Sequence, residues 1–258
     1  MNRKIELFMT IALLLCAVLI AKEGALFMAK KGQSSHHTPY EMLFPSTETE
    51  TSTSSSDYES PTSEIRIVLD AGHGGSDPGK VGANGELEKD INLAITLMLK
   101  DALEKEGLSI ILTRSDDCSL ADPSSSNQKR SDMQNRCQII TDASPVFTIS
   151  IHQNSYPSKD VSGPQVFYYL DSAQGAALAT TLQTTLNASL TPPARRQPKA
   201  NDSYYLLKKT PTPTVIVECG FLSNPSEAAL LTSAEYQAKM VNAISLGILT
   251  YLQENHYL

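Results

Sequence analysis

The 258-residue chain contains no tryptophan, and aromatic residues make up only 6% of it. It also lacks a surplus of positive charge, because the formal net charge is −7 at pH 7 and no basic cluster stands out. Nucleic acids are polyanions that proteins bind through clustered Lys and Arg residues. We therefore expect no nucleic-acid partner.

Cysteine is scarce as well, with four residues in the whole chain. Their spacings match no zinc motif and no disulfide framework. A bridge between Cys118 and Cys137 would suit a protein outside the cytoplasm, but nothing in the sequence requires it. The cysteines therefore define neither a metal site nor a cross-linked fold.

The chain lacks an apolar run of the roughly 20 residues that span a bilayer comfortably. Its most apolar stretch, Leu7 to Ala21, is shorter and follows the basic start MNRK. A basic start before a short apolar core is typical of a signal peptide or a short anchor. No clean cleavage site follows, so we favour a membrane anchor over a cleaved signal segment for residues 1–31.

Residues 32–63 are rich in Ser, Thr, Glu and Pro. A segment of this composition cannot bury enough apolar surface to offset the entropy that is lost on ordering. We expect it to be a flexible tether in which His36 and His37 are solvent-exposed linker residues. The catalytic domain is then expected over residues 64–258.

From Ile65 onward, short β-branched runs alternate with segments of helical periodicity. This alternation predicts one α/β domain with a twisted, mainly parallel sheet flanked by helices. The predicted strands are Ile65–Leu69, Leu108–Leu112, Val146–Ile151, Gln165–Leu170 and Val215–Val217. Helices are predicted from the i, i+3, i+4 spacing of apolar residues over Glu88–Glu106, Gln128–Asp142, Ala173–Leu190, Ser226–Leu231 and Tyr236–Gln253.

Three polar side chains stand where predicted strands end. His73 follows the first strand in LDAGHGGSDPG, His152 follows the third in FTISIHQNS, and Glu218 follows a late strand in TVIVECGFLSN. The carboxyl ends of parallel strands meet at one edge of a sheet, where α/β proteins bind their ligands. His73 and His152 are also the two histidines of the domain body, since the others lie in the tether or near the C-terminus. We therefore predict a functional site at this edge.

Two imidazoles can bind Zn²⁺ when a carboxylate completes the set, because a catalytic zinc usually has three protein ligands and one open position. Glu88 opens the first helix just beyond the glycine-rich loop, and its carboxylate could reach back toward His73. It could equally be an N-terminal helix acid that complements the helix dipole. The residues alone leave five candidates for the third ligand: Asp70, Asp77, Glu86, Glu88 and Glu218.

Glu218 has two further interpretations. Partial desolvation at the end of an apolar strand would raise its pKa toward values that suit a general base. It could instead be a strand-end acid that pairs with an arginine, for which the candidates are Arg114, Arg130 and Arg136.

The neighbouring Cys219 raises a rival hypothesis, a Cys–His hydrolase that uses Cys219 and His152. Neighbouring residues of a strand point to opposite faces, so Cys219 should face the core if Glu218 faces the site. A buried, unreactive thiol is then the expected state of Cys219.

From about Ile65 to Leu252, the chain resembles the zinc-dependent N-acetylmuramoyl-L-alanine amidases of the Amidase_3 type. Three motifs in the family's order support this resemblance, namely IVLDAGHGGSDPGKVGANGELEKDINL, SIHQNS and VIVECGFLSN. It implies one Zn²⁺ bound by His73, Glu88 and His152, with Glu218 as the catalytic carboxylate. The implied reaction is hydrolysis of the amide bond between N-acetylmuramic acid and L-alanine in peptidoglycan.

Within this family, the layout of a short N-terminal anchor and one catalytic domain most resembles the germination-specific, CwlD-type amidases of spore-formers. That resemblance implies action on spore cortex, where stripped muramic acid is converted to muramic-δ-lactam, and a location outside the cytoplasm in the forespore or spore envelope. It also implies a lipoprotein partner, which some clostridial relatives require. The tether is long for this subgroup. The alternative is a non-catalytic peptidoglycan-binding or regulatory protein on the amidase fold.

Overall fold

The structure is a computed structural model, and it describes residues 65–258. The expected anchor over 1–31 and the expected tether over 32–63, with His36 and His37, lie outside the described residues and stay predictions. Within residues 65–258, no helix combines the length and apolar character needed to cross a bilayer.

In the part of the chain that the structure describes, six strands form a single sheet in the order β2-β1-β3-β6-β4-β5. The pairs β1–β2, β1–β3, β3–β6 and β4–β5 are parallel, and β4 pairs with β6 in antiparallel orientation. The predicted mainly parallel sheet is therefore confirmed. Its strands are β1 Arg66–Ala71, β2 Ser109–Leu112, β3 Phe147–Asn154, β4 Gln165–Tyr169, β5 Lys199–Asn201 and β6 Thr214–Phe221.

Within the described residues, six helices connect and cover the strands. Four of them, which start at Gln128, Ala173, Pro225 and Ala234, begin at an Asn or Ser side chain that accepts a backbone N–H of the first turn. The helix α1 has no such cap, because Leu87 precedes its first residue, Glu88. The helices are α1 Glu88–Lys105, α2 Gln128–Ala143, α3 Ala173–Leu190, α4 Tyr205–Lys209, α5 Pro225–Leu231 and α6 Ala234–Glu254.

The two faces of the sheet are covered by different helices. The larger core lies between the sheet and α1, α3 and α6, and it contains Leu69, Ile149 and Val217 from three adjacent strands. On the other face, smaller clusters join Val68 to α2 and α4, and Ile216 to α4. Because strand residues alternate between faces, the even-numbered residues of β3 and β6 lie on the side of α2 and α4.

Two strands are longer than the apolar runs that predict them. β3 continues through His152 to Asn154, and β6 continues through Glu218 to Phe221. The prediction that His152 and Glu218 follow their strands is therefore wrong by a few residues, since both lie within the ladder. All eight residues of β6 are buried, so Glu218 belongs to a fully buried strand.

Candidate metal centre

His73 lies just beyond β1, and its backbone has a φ of 63°, in the left-handed region. Its Nδ1 atom is 2.8 Å from Asp77 Oδ2, and its Nε2 atom is 3.3 Å from Glu88 Oε2. A carboxylate at one ring nitrogen fixes the orientation of the imidazole and makes the other nitrogen a better metal ligand. His73 therefore presents Nε2 to the centre.

Glu88 reaches back across the glycine-rich loop. Its Oε1 atom is 2.9 Å from His152 Nδ1, which brings both imidazoles onto one carboxylate. The backbone N–H groups of Lys80 and Gln153 donate to Oε2 and Oε1 at 2.8 and 3.0 Å. Burial alone would raise the pKa of Glu88, but the bonds with His152 and His73 outweigh it and hold this pKa well below its ordinary value. Glu88 is therefore a fixed, ionised carboxylate rather than a mobile helix-end acid.

His73, Glu88 and His152 form one cluster, with a ligand atom of each lying within 4.8 Å of the others. Two imidazole nitrogens and one carboxylate oxygen are a donor set that Zn²⁺ accepts. Bonds of about 2.0–2.2 Å to one ion bring such donors to within roughly 4 Å of one another. The cluster is compact enough for a single ion, so its chemistry and its size both fit zinc.

Two glycines leave the space that this cluster occupies. A Cβ atom on Gly72 would collide with the His152 ring at Nε2. At Gly79, where φ is 67°, a Cβ atom would lie 2.7 Å from both Glu88 Oε2 and His73 Cδ2. Contacts this short are not tolerated, so the loop lacks side chains where the cluster needs room.

Glu218 lies in β6, directly opposite His152 of β3 in the parallel register. It is 8% exposed, and its Oε2 atom has no hydrogen-bond partner among the described residues. Burial raises the pKa of Glu218 to about 7, with smaller opposing effects from nearby charges. A carboxyl group of this kind can both accept and release a proton near neutral pH.

The arginines proposed as partners of Glu218 are engaged elsewhere or exposed. Arg136 pairs with Asp70 and Asp132, and Arg114 donates to backbone carbonyl groups. Arg130 is exposed on α2. Within residues 65–258, Glu218 forms no ion pair with any of them, so the salt-bridge interpretation is wrong.

The other acidic candidates do not join the cluster. Asp70 lies buried on β1, where its carboxylate accepts hydrogen bonds from Thr113, Ser150 and Arg136. Asp77 contacts the far side of the His73 ring. Glu86 accepts hydrogen bonds from the backbone and side chain of Asn84. Glu88 is thus the candidate that the geometry selects for the third position.

Cys219 faces the larger core and has no exposed surface. Burial raises the pKa of its thiol far above the ordinary range, and the opposite orientation of Glu218 follows from strand alternation. The geometry therefore disfavours a Cys–His pair with His152. Cys118 and Cys137 are free thiols in the structure, so the bridge that the sequence allows is not formed.

The cluster opens into a cleft of about 620 Å³ between the sheet, α2 and the start of α4. Tyr204 stands on the α4 side of this cleft, and its ring packs against Phe167 with centroids 5.5 Å apart. Burial, with added effects from the Glu218 and Glu88 charges, raises the pKa of its hydroxyl. No sequence pattern indicates Tyr204 as a site residue, because the α4 helix that follows it has only five residues and shows no usable periodicity.

Comparison with known proteins agrees with this geometry. Residues 67–250 match the protein family Amidase_3, described as N-acetylmuramoyl-L-alanine amidase. The germination-specific N-acetylmuramoyl-L-alanine amidase of Bacillus subtilis (strain 168) is 38% identical over 197 residues, which cover 75% of this chain and 82% of that protein.

Two solved structures share the fold. The CwlD amidase from Clostridioides difficile, solved in complex with the GerS lipoprotein, has a TM-score of 0.71 and 39% identity, and the match covers 74% of this chain and 100% of that chain. The catalytic domain of CwlV, an N-acetylmuramoyl-L-alanine amidase from Bacillus (Paenibacillus) polymyxa var. colistinus, has a TM-score of 0.65 and 28% identity, with 73% and 98% covered. The chain therefore belongs to the Amidase_3 family of N-acetylmuramoyl-L-alanine amidases.

Proposed function

We propose that this amidase is zinc-dependent and that its ion is held by His73, Glu88 and His152. The observation that supports this most strongly is the convergence of these three side chains within 4.8 Å, from a loop, a helix and a strand that are distant in sequence. The proposed reaction is hydrolysis of the amide bond between the lactyl group of N-acetylmuramic acid and L-alanine.

Bound Zn²⁺ would supply Lewis acidity, which polarises the scissile carbonyl group and makes water acidic near neutral pH. The protein's part is to fix the ligand atoms. Asp77 keeps the proton of His73 on Nδ1, so that Nε2 is available. Two backbone N–H groups hold the Glu88 carboxylate in place, with one donating to each oxygen atom.

Glu218 is proposed as the general base and then the general acid. Its Oε2 atom takes a proton from the attacking water, while the water oxygen forms a bond to the amide carbon. The carbon–nitrogen bond then breaks, and Glu218 returns the proton to the departing amine of L-alanine. The products are a lactyl carboxylate on the sugar and a free peptide amine. The free Oε2 atom and the raised pKa of Glu218 support this role.

The test is muropeptide mapping with the purified full chain. Purified peptidoglycan is digested with the protein as prepared, after treatment with a chelator, and after Zn²⁺ is restored. We expect new N-terminal L-alanine and peptide-free muramic acid, loss of both after chelation, and recovery with zinc. Activity that survives complete metal removal would contradict the zinc proposal. Binding to peptidoglycan without release of peptide would instead favour the regulatory alternative.

We infer that the substrate is spore cortex peptidoglycan. The support is the relative from Bacillus subtilis, which is named a germination-specific amidase. Peptide-free muramic acid from this reaction would be the precursor of muramic-δ-lactam, and the site of action would lie outside the cytoplasm, in the forespore or spore envelope. Spores that lack the protein should then contain little muramic-δ-lactam, whereas a normal content would refute the cortex assignment.

A lipoprotein partner and a membrane anchor belong to the same proposal. The CwlD structure from Clostridioides difficile contains the GerS lipoprotein, which supports an equivalent partner for this chain.

Residues 1–31 would anchor the protein and residues 32–63 would tether the catalytic domain over 64–258. Fractionation of cells that express the full chain and a chain without residues 1–31 tests the anchor, since only the full chain should enter the membrane fraction.

A further inference from the structure

Arg136 donates hydrogen bonds along the segment that leads from β1 to His73. Its Nη1 atom donates to Asp70 Oδ1 at 2.6 Å and to the Ala71 carbonyl oxygen at 2.8 Å. Its Nη2 atom donates to the His73 carbonyl oxygen at 2.7 Å, and its Nε atom donates to Asp132 Oδ2 at 2.6 Å. Arg136 is only 1% exposed, so this buried cation is satisfied by two carboxylates and two carbonyl groups.

We propose that Arg136 is a positioning residue for the metal centre and that it acts through the backbone of His73. This inference rests on the proposed zinc function. The φ of 63° at His73 is unusual for a residue with a side chain, because the Cβ atom crowds the following carbonyl oxygen in this conformation. A return to an ordinary φ would rotate the imidazole away from Glu88. The bond from Arg136 to the His73 carbonyl opposes that rotation.

Arg114 supports the same segment from the side of α1. It donates to the carbonyl oxygens of Ala71, Gly72 and Lys89 at 2.9, 3.1 and 2.9 Å. It thereby ties the end of β1 to the start of the helix that presents Glu88. Of the two buried arginines, Arg136 is the one that bonds His73 itself, so it is the sharper target for an experiment.

The substitution R136K would separate positioning from charge. A lysine ammonium can still neutralise Asp70, but one nitrogen atom cannot reproduce a planar fork that reaches four acceptors. If Arg136 served only to compensate the buried Asp70 charge, R136K would bind zinc as the wild type does. If it fixes His73, R136K should bind zinc more weakly although the cation is kept.

The experiment measures Zn²⁺ affinity of the full chain by competition with a chromophoric chelator, for the wild type, R136K and R136Q. We expect a roughly 10–100-fold loss of affinity in both variants, the size of effect that residues supporting metal ligands typically have. The visible spectrum of the Co²⁺-substituted protein should change with the ligand geometry. D132N, which replaces the charged acceptor of the Arg136 Nε atom by a neutral one at a side chain that is 18% exposed, should weaken Zn²⁺ binding less than R136K, and it decides the case if neither Arg136 variant folds.

Two control variants separate positioning from general damage. Arg130 is an exposed arginine on the same helix, and R130K should leave Zn²⁺ affinity and the Co²⁺ spectrum unchanged. Leu186 is buried in the larger core away from the cleft, and L186A should destabilise the fold yet keep the affinity. Wild-type Zn²⁺ affinity and a wild-type Co²⁺ spectrum in R136K would overturn the inference about Arg136 and leave the proposed zinc function intact. An equal loss of Zn²⁺ affinity in L186A would have the same consequence. A wild-type protein that binds no zinc would refute the proposed function and the inference with it.

Discussion

Glu218 and His152 are register partners on two adjacent parallel strands, β6 and β3. Their relative position is therefore set by the hydrogen-bond ladder of the central sheet rather than by a loop. His152 belongs to the candidate metal cluster, and Glu218 keeps an unbonded Oε2 atom beside it. The proposed base and one proposed metal ligand therefore lie on the same pair of strands, and the two roles should be separable by mutation.

Glu218→Gln should abolish turnover and leave the metal bound. The amide is close in shape to the carboxyl group but cannot accept the proton from water, and general acid–base catalysis typically contributes 10²–10⁴-fold to a rate. We expect a fall of that size in kcat, measured as peptide release from purified peptidoglycan. Zinc content per chain should match the wild type, and a variant with near-normal kcat would remove Glu218 from the mechanism.

Gly79→Ala should weaken zinc binding through a direct clash with Glu88. The added Cβ atom would lie 2.7 Å from Glu88 Oε2, so the carboxylate must move away from the histidines. We expect at least a tenfold loss of Zn²⁺ affinity, the scale found when the support of a metal ligand is disturbed.

Gly85→Ala is the matched control for Gly79→Ala. Gly85 also has a positive φ, 94°, but a Cβ atom there would meet nothing within 4 Å. Both variants should lose about 1 kcal/mol of stability from the backbone conformation, and Gly79→Ala should lose more because of its clash with Glu88. Only Gly79→Ala should lose zinc affinity, and an equal loss in Gly85→Ala would show that loop strain rather than contact with Glu88 is responsible.

Asp70→Asn should destabilise the domain at neutral pH, and the difference should shrink in acid. Burial raises the pKa of Asp70, but Arg136 and the hydroxyls of Ser150 and Thr113 outweigh this and lower it from 3.8 to about 2. A carboxyl with a lowered folded-state pKa stabilises the fold above its unfolded-state pKa, and this contribution is lost as the pH falls through the folded-state value.

The expected size of the Asp70 effect is about 2 kcal/mol at neutral pH. Urea unfolding of the metal-free wild type and Asp70→Asn, repeated between neutral pH and about pH 2.5, measures it. The gap between the two unfolding free energies should narrow below about pH 4. A gap that stays constant through this range would mean that the Asp70 charge does not stabilise the fold.

Cys219→Ala should keep the activity. The thiol faces the larger core and its pKa is raised by complete burial, so it cannot serve as a nucleophile. We expect kcat within about threefold of the wild type and a stability loss of about 1 kcal/mol for the small cavity. Loss of turnover with intact folding and full zinc content would revive the Cys–His hypothesis.

Strand ends were the part of the site that the sequence could predict. Apolar runs that stop at His152 and Glu218, together with parallel pairing, are enough to bring these residues to one edge. The alternation of side chains along β6 was also enough to predict that Cys219 faces the core. These features follow from short stretches of the chain, so the sequence alone predicts them.

The remaining features depend on contacts between distant residues. The choice of Glu88 over the other acids rests on N–H groups from Lys80 and Gln153, which no spacing rule predicts. The partner of Arg136 is Asp70, 66 residues away, and not Glu218. The strand β5 and the helix α4 escaped prediction because they have three and five residues, too few for a periodic pattern.

X-ray absorption at the zinc edge of the loaded full chain reports the atoms that bind the metal. We expect one Zn²⁺ per chain with two imidazole nitrogens and a carboxylate oxygen at about 2.0–2.2 Å. The imidazole contribution should fall in His73→Ala and in His152→Ala, and should be unchanged in Glu218→Gln. A sulfur shell at about 2.3 Å, or an unchanged imidazole contribution in both histidine variants, would contradict the proposed metal centre.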